Sequence, residues 1–309
     1  MEYRQLGRSD LKVSAIGLGA VTFSREIDEA TAFTIIDHAL DRGINLIDTA
    51  EAYNKGGSET VVGNWIKASG KRDQIVLATK LIPPLTAARI PEAAEASLRR
   101  LQTDHIDLYQ MHHVERSTPW PEIWQAMEQL VREGKVLYVG SSNFAGLHIA
   151  LGQFAAEKRN FLGLVAEQSL YNLNARMVEL EVIPACREFG LGLIPWSPLS
   201  GGLLGGALQK AEAGRRADAR TQATIDKKRP QLEAYEAFCR ELGEAPAHVA
   251  LAWLLHNPAV TAPIIGPRTL AQYEESLPAV DIQLSAETLA KLNEIWPGPG
   301  GEAPEAYAW

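Results

Sequence analysis

Strand-like apolar runs and amphipathic helical segments alternate eight times along this chain, and that alternation leaves few folds open. The runs are 15–19, 44–48, 75–80, 106–112, 136–140, 163–168, 191–196 and 260–265, bounded by Gly or polar turns. Between them, Glu29 to Arg42 sets Ala32, Phe33, Ile35, Ile36, Ala39 and Leu40 at helical spacing, and 58–68, 91–101, 121–133, 145–158 and 174–188 are read the same way. Ser58 and Asn174 are read as helix caps, Pro91 as a helix opener, and Gly70, Gly134 and Gly190 as stops. An irregular segment, about 198–228, follows strand seven and precedes helices near 230–242 and 246–256. Helices near 269–277 and 285–295 come after strand eight, and the Gly- and Pro-rich tail 297–309 is expected to be non-helical.

Such alternation means a parallel sheet, and eight strands close a barrel. The expected fold is an α/β (β/α)8 TIM barrel, one domain over 1–309. A β-hairpin (3–6 and 11–15 around Gly7–Asp10) precedes it, and a long loop follows strand seven. The rival, a doubly wound dinucleotide fold, needs GxGxxG after a strand. Gly17-Leu18-Gly19-Ala20-Val21-Thr22 has two of the three glycines. The roughly 30-residue segment after strand seven exceeds a structural loop and, in a barrel, falls on the ligand-binding face.

Hydrophobic residues make up 46% of the 309, enough for a large core. A net charge of −8 argues against nucleic acid or an anionic membrane as the main partner. Cys186 and Cys239 show no metal or CxxC spacing and read as free, half-buried thiols of a reducing compartment. The start, Met1-Glu2-Tyr3-Arg4-Gln5, lacks a signal-peptide pattern, and no apolar run reaches the ~18 residues of a membrane span. The expected location is cytoplasmic.

In a barrel, the residues that end the strands share one rim. They are Asp48 with Tyr53 just beyond, Lys80, His112, Ser141-Ser142-Asn143, Gln168 with Tyr171, Trp196-Ser197, and Gly266 with Arg268. An acid, a phenol, an amine, an imidazole, several amides and an aromatic plate thus converge.

These residues sit in segments that resemble a known family. The segments include Tyr3-Arg4-Gln5-Leu6-Gly7, Asp48-Thr49-Ala50-Glu51-Ala52-Tyr53, Gly57-Ser58-Glu59 and Ala78-Thr79-Lys80. They continue with Asp107-Leu108-Tyr109-Gln110-Met111-His112, Gly140-Ser141-Ser142-Asn143-Phe144, Gln168-Ser169-Leu170-Tyr171-Asn172, Trp196-Ser197-Pro198-Leu199 and Ile265-Gly266-Pro267-Arg268-Thr269. In this order the chain is similar to the aldo-keto reductase superfamily over nearly its whole length. The resemblance implies a barrel with an N-terminal hairpin, NADPH/NADP+ as cofactor and a small-molecule aldehyde or ketone as substrate.

It also implies a tetrad of Asp48, Tyr53, Lys80 and His112. Tyr53 would protonate the carbonyl oxygen. A free phenol has a pKa of ~10, and a nearby Lys80 ammonium would lower it. Asp48 would hold Lys80, and His112 would donate to the same oxygen. His113, expected to point the opposite way on an extended strand, is the second choice. Ser142, Asn143 and Gln168 are implied for the nicotinamide carboxamide, and Trp196 for the ring. Gly19, Ala20 and Asp48 are also implied for cofactor binding, and Ser197, Leu199 and Gly201 would approach the pyrophosphate. Gly266, Arg268, Gln272 and Glu275 would hold the adenosine end, with Arg268 suited to a 2′-phosphate. Ala207 stands where many relatives carry Lys, and Ser276 where Asn is usual.

The basic cluster Arg215, Arg216, Arg220, Lys227, Lys228 and Arg229 is either a cover for the cofactor or a solvated loop. Phe23, Lys55, Val114, Trp120, Tyr307 and Trp309 are candidates for the substrate wall, suiting a mid-sized carbonyl compound or a keto-sugar. A second reading is an NADPH-binding sensor like the potassium-channel beta subunits, which turn over slowly.

Overall fold

The computed structural model describes residues 1–209 and 219–307. A two-stranded antiparallel hairpin comes first, β1 (Tyr3–Gln5) and β2 (Lys12–Ser14). Eight parallel strands follow: β3 (Gly17–Gly19), β4 (Leu46–Asp48), β5 (Val76–Leu81), β6 (Ile106–Met111), β7 (Val136–Ser142), β8 (Leu164–Gln168), β9 (Gly192–Leu193) and β10 (Ile264–Ile265). Their order is β10-β3-β4-β5-β6-β7-β8-β9. No continuous ladder joins β9 to β10. Instead the seam closes through a parallel bridge between Leu193 and Val260, with Thr261 N donating to Leu193 O and Ile264 N to Pro195 O, both at 2.8 Å. The eight strands thus form the expected (β/α)8 barrel.

Ten α-helices are present among the described residues: α1 (Glu29–Asp41), α2 (Gly57–Ser69), α3 (Arg89–Leu101), α4 (Trp120–Arg132), α5 (Gly146–Glu157), α6 (Val178–Phe189), α7 (Ala219–Leu242), α8 (Pro246–His256), α9 (Leu270–Glu274) and α10 (Ala286–Ile295). None is long and apolar enough to cross a membrane.

The period of two along each strand divides the core. Leu46, Val76, Ala78, Leu108, Val165 and Ile194 fill the barrel, joined by Leu6 and Val13 from the hairpin. Ile47, Leu77, Leu81, Tyr109 and Met111 face outward against the helices. The hairpin closes the N-terminal end of the barrel. There Gly7, at φ +53°, passes so close that a Cβ would lie 2.1 Å from Val165 O.

Several sequence readings need correction. Ser58 lies inside α2, whose N-cap is Gly56; its hydroxyl donates to Ala20 O (2.7 Å) and meets Thr49 Oγ1 (2.8 Å). Asn174 caps nothing, because α6 starts at Val178; its amide donates to Ser200 Oγ instead. The segment after strand seven becomes helical by Ala219, not near 230. The tail carries one short 3-10 turn, Glu305–Tyr307. Both cysteines are free but fully buried. Lys227, Lys228 and Arg229 sit on α7, where Arg229 pairs with Asp226 and the Lys228 ammonium lies over Trp296. Arg215, Arg216 and Trp309 lie outside the described residues, as do the side chains of Arg220 and Tyr307.

Candidate active site

Alternation aims Asp48, Lys80 and Gln110 into the barrel mouth, each two residues beyond an inward apolar residue: Leu46, Ala78 and Leu108. Lys80 and Asp48 are buried. The Lys80 ammonium has three protons to donate, and three acceptors surround it: Asp48 Oδ2 at 2.6 Å, Thr49 O at 2.9 Å and Tyr53 Oη at 3.1 Å. Burial opposes its charge, but Asp48 and Tyr53 outweigh burial and raise its pKa above the ordinary lysine value. Because Tyr53 Oη accepts from Lys80, its own proton is left for another acceptor. The second Asp48 oxygen accepts from Gln168 Nε2 (2.8 Å) and Gln110 Nε2 (3.3 Å).

Tyr53 sits on a short turn that the chain strains to make. Asn54 and Lys55 both adopt left-handed backbone (φ 49° and 54°), which costs a non-glycine residue roughly 1–2 kcal/mol. The Asn54 amide fixes the turn by donating to Ser24 O and Oγ at 2.8 and 2.7 Å. On the other side, Glu51 takes both oxygens to Arg89 at 2.8 Å and accepts from Ile82 N.

Strand β6 ends at Met111, so His112 and His113 do not alternate. Their rings stack in parallel, 4.9 Å apart, rather than pointing opposite ways. His112 meets the Tyr53 ring edge-on at 5.8 Å. Burial, then Lys80 and His113, lowers its pKa to about 3, so its imidazole is neutral at physiological pH. Its Nδ1 is buried without a hydrogen-bond partner among the described residues.

A chain of contacts continues from the tetrad. Ser142 Oγ donates to Gln168 O (2.8 Å), and Asn143 Nδ2 donates to Ser142 Oγ and to His112 O, both at 3.0 Å. Trp196 Nε1 donates to Asn143 Oδ1 (3.1 Å). The residues expected around the nicotinamide are therefore contiguous with one another and with Asp48. Gly19 has a packing reason, since a Cβ there would lie 2.6 Å from Ile264 Cγ2. Ala20 uses its N–H on Asp48 O and its carbonyl on Ser58. Ser197 O accepts from Ser200 N, and Leu199 is the N-cap of the short 3-10 turn Ser200–Gly202 that holds Gly201. At Gly201, in left-handed backbone, and at Gly266 a Cβ would meet nothing nearer than 3.9 Å among the described residues. Arg268 is held loosely, 3.7 Å from Glu26, and its backbone N–H donates to Gln272 Oε1. Glu275 follows as the C-cap of α9.

Of the expected substrate-wall residues, Phe23 is fully buried in the core. Trp120 packs on Trp124 and Phe144 over Gly152. Lys55 is exposed, and Val114 lines a cleft beside His113.

Sequence reasoning missed three supports. Gln110 was legible, because it falls two residues beyond Leu108 on the inward face of its strand. Glu51 stands in the same segment as Asp48 and Tyr53, without a pattern of its own. Glu167 faces away from the barrel and is wholly buried. It accepts from Ser141 Oγ, Ser169 Oγ and Phe144 N, and burial lifts its pKa to about 7. It thereby braces the β7 end that carries Ser142 and Asn143.

A family model described as the aldo/keto reductase family matches residues 15–297. The uncharacterized oxidoreductase YrpG of Bacillus subtilis (strain 168) is 52% identical, with 100% of both chains covered. A probable voltage-gated potassium channel subunit beta of Arabidopsis thaliana is 32% identical over 99% of this chain and 100% of its own. The versiconal hemiacetal acetate reductase of Aspergillus parasiticus is 31% identical, over 95% of this chain and 96% of its own.

Proposed function

This chain belongs to the aldo/keto reductase family, and on that premise we propose that it is an NADPH-dependent oxidoreductase that reduces aldehydes or ketones to alcohols. The observation that carries the proposal is the Tyr53 hydroxyl, which accepts from a buried ammonium and keeps its own proton free.

NADPH, when bound, supplies the hydride. Ser142, Asn143, Gln168 and Trp196 would hold its nicotinamide, and the open backbone at Gly201 and Gly266 with the loosely paired Arg268 would hold its phosphates. Tyr53 gives its proton to the carbonyl oxygen as negative charge develops there. Lys80, 3.1 Å away, stabilises the phenolate left behind. Asp48 keeps Lys80 charged and in place. His112, neutral, donates from Nε2 to the same oxygen and so fixes the carbonyl's orientation.

NADPH consumption with 4-nitrobenzaldehyde, beside NADH and a Tyr53→Phe control, tests this. Rapid turnover that collapses in the variant is expected. Equal rates in both would remove Tyr53 as the acid. The similarity to channel beta subunits favours a second reading, an NADPH-binding sensor. Tight NADPH binding with negligible turnover would support it.

A further inference from the structure

Beside the tetrad, a cleft of about 240 Å³ opens between the segment after β6 and the start of α5. His113, Val114, Arg116, Asn143, Ala145 and His148 line it. Two of these residues connect it to the site: His113 stacks on His112, and Asn143 donates to the His112 carbonyl. Pockets that enclose a whole small ligand run to roughly 300–1,000 Å³. This cleft therefore suits one end group of a substrate whose carbonyl lies at Tyr53.

Its chemistry is one-sided. Arg116 is exposed and has no ion pair among the described residues. The neighbouring carboxylate, Glu115, is turned away onto Ser117 N and Oγ at 2.8 and 2.6 Å. His148 Nδ1 is buried without a hydrogen-bond partner among the described residues. Burial and then the Arg116 charge lower the pKa of that ring, and no carboxylate opposes them. His148 lies in the first turn of α5, which has no acidic residue there and no side-chain cap at Ala145. The helix start adds positive potential to that of Arg116.

We propose that this cleft is an anion subsite, so that the carbonyl compound reduced at Tyr53 carries a carboxylate held by Arg116, with His148 and His113 beside it. The planar guanidinium fork matches a carboxylate bidentately, and no carboxylate among the described residues lines the cleft to compete for it. This inference rests on the reductase reading.

The test compares kcat/KM for 4-carboxybenzaldehyde and its uncharged methyl ester in wild type, Arg116→Gln and Arg116→Lys. Wild type is expected to favour the acid. In Arg116→Gln the acid-to-ester ratio should fall roughly tenfold or more, mainly through KM, and Lys should restore part of it. An unchanged ratio overturns the subsite. A wild type that reduces neither aldehyde overturns the reductase reading instead. The subsite is then judged by calorimetric binding of 4-(hydroxymethyl)benzoate: roughly tenfold weaker binding in Arg116→Gln supports it, and equal binding sinks it.

Discussion

Lys80 and Asp48 form an ion pair removed from water, and such a pair is worth most when neither partner can be lost alone. Lys80→Met leaves the Asp48 carboxylate buried against two amides and is expected to cost about 3–5 kcal/mol in urea unfolding. Adding Asp48→Asn should return part of that, since the stranded charge is gone. A double variant no more stable than the single one would mean that Asp48 is solvated when Lys80 is absent. Two other groups, one half-buried and one fully buried, act on stability in opposite senses. His112, neutral in the fold down to a pKa of about 3, takes up its proton first in the unfolded chain. Its contribution is complete above its ordinary value of about 6.5 and is lost as pH falls towards 3. Glu167, lifted to about 7, stays protonated in the fold while the unfolded chain ionises. Its contribution is complete below its ordinary value of about 4.5 and is lost as pH rises through 7. Glu167→Gln cannot ionise. Relative to the variant, wild type should therefore lose stability between pH 4.5 and 8, by roughly 3 kcal/mol at the upper end. Denaturation midpoints that run parallel across that range would show that Glu167 is not strained by its burial.

Elements were readable where the apolar period was strong. Strands β4, β5 and β6 stand out because Leu, Ile and Val runs are cut by Gly or polar turns, and α1 because its apolar residues recur on one face. The polar layer at the barrel mouth was equally legible: Asp48, Lys80 and His112 each end such a run. What failed depends on contacts distant in sequence. Ser58 looks like a cap until Ala20 and Thr49 claim its hydroxyl. The start of α7 was missed because, between Thr221 and Arg229, Ile225 alone is buried, so no apolar stripe marks it. Strand β10 was read as six residues and pairs over two, since closure of the barrel rests on single bridges near Val260. The N-terminal hairpin was anticipated, but not how tightly Gly7 packs. Gly7→Ala would set a Cβ against three backbone atoms, with O of Val165 at 2.1 Å. Gly70, also in left-handed backbone, has nothing within 4 Å. Gly70→Ala should therefore cost only the conformational strain, about 1–2 kcal/mol, and Gly7→Ala distinctly more. Equal losses in thermal unfolding would show that the hairpin yields easily.

At the scale of the whole molecule, the barrel separates stability from chemistry along its axis. Leu6 and Val13 enter the barrel from the hairpin and join Leu46, Val76, Ala78 and Leu108 in one apolar cluster. On the same strands, two residues further along, the side chains become Asp48, Lys80 and Gln110. The transition from apolar packing to polar side chains thus takes one inward step per strand, and the side-chain hydrogen bonds of Asp48, Lys80 and Gln110 run to Thr49, Tyr53, Gln168 and one another rather than to the hairpin. Truncating the plug should therefore act on folding alone. Leu6→Ala is expected to cost about 2–5 kcal/mol, because the cavity it leaves is walled by strands that cannot collapse independently. Below the unfolding transition, the kcat/KM of that variant for an aldehyde should stay within about twofold of wild type, since sites without shared partners act additively. Measuring both in one preparation gives the test. A Leu6→Ala protein that is fully folded yet has lost most of its turnover would mean that strand positions at the two ends are coupled. The tetrad geometry would then depend on the plug as well as on the hydrogen bonds around Lys80.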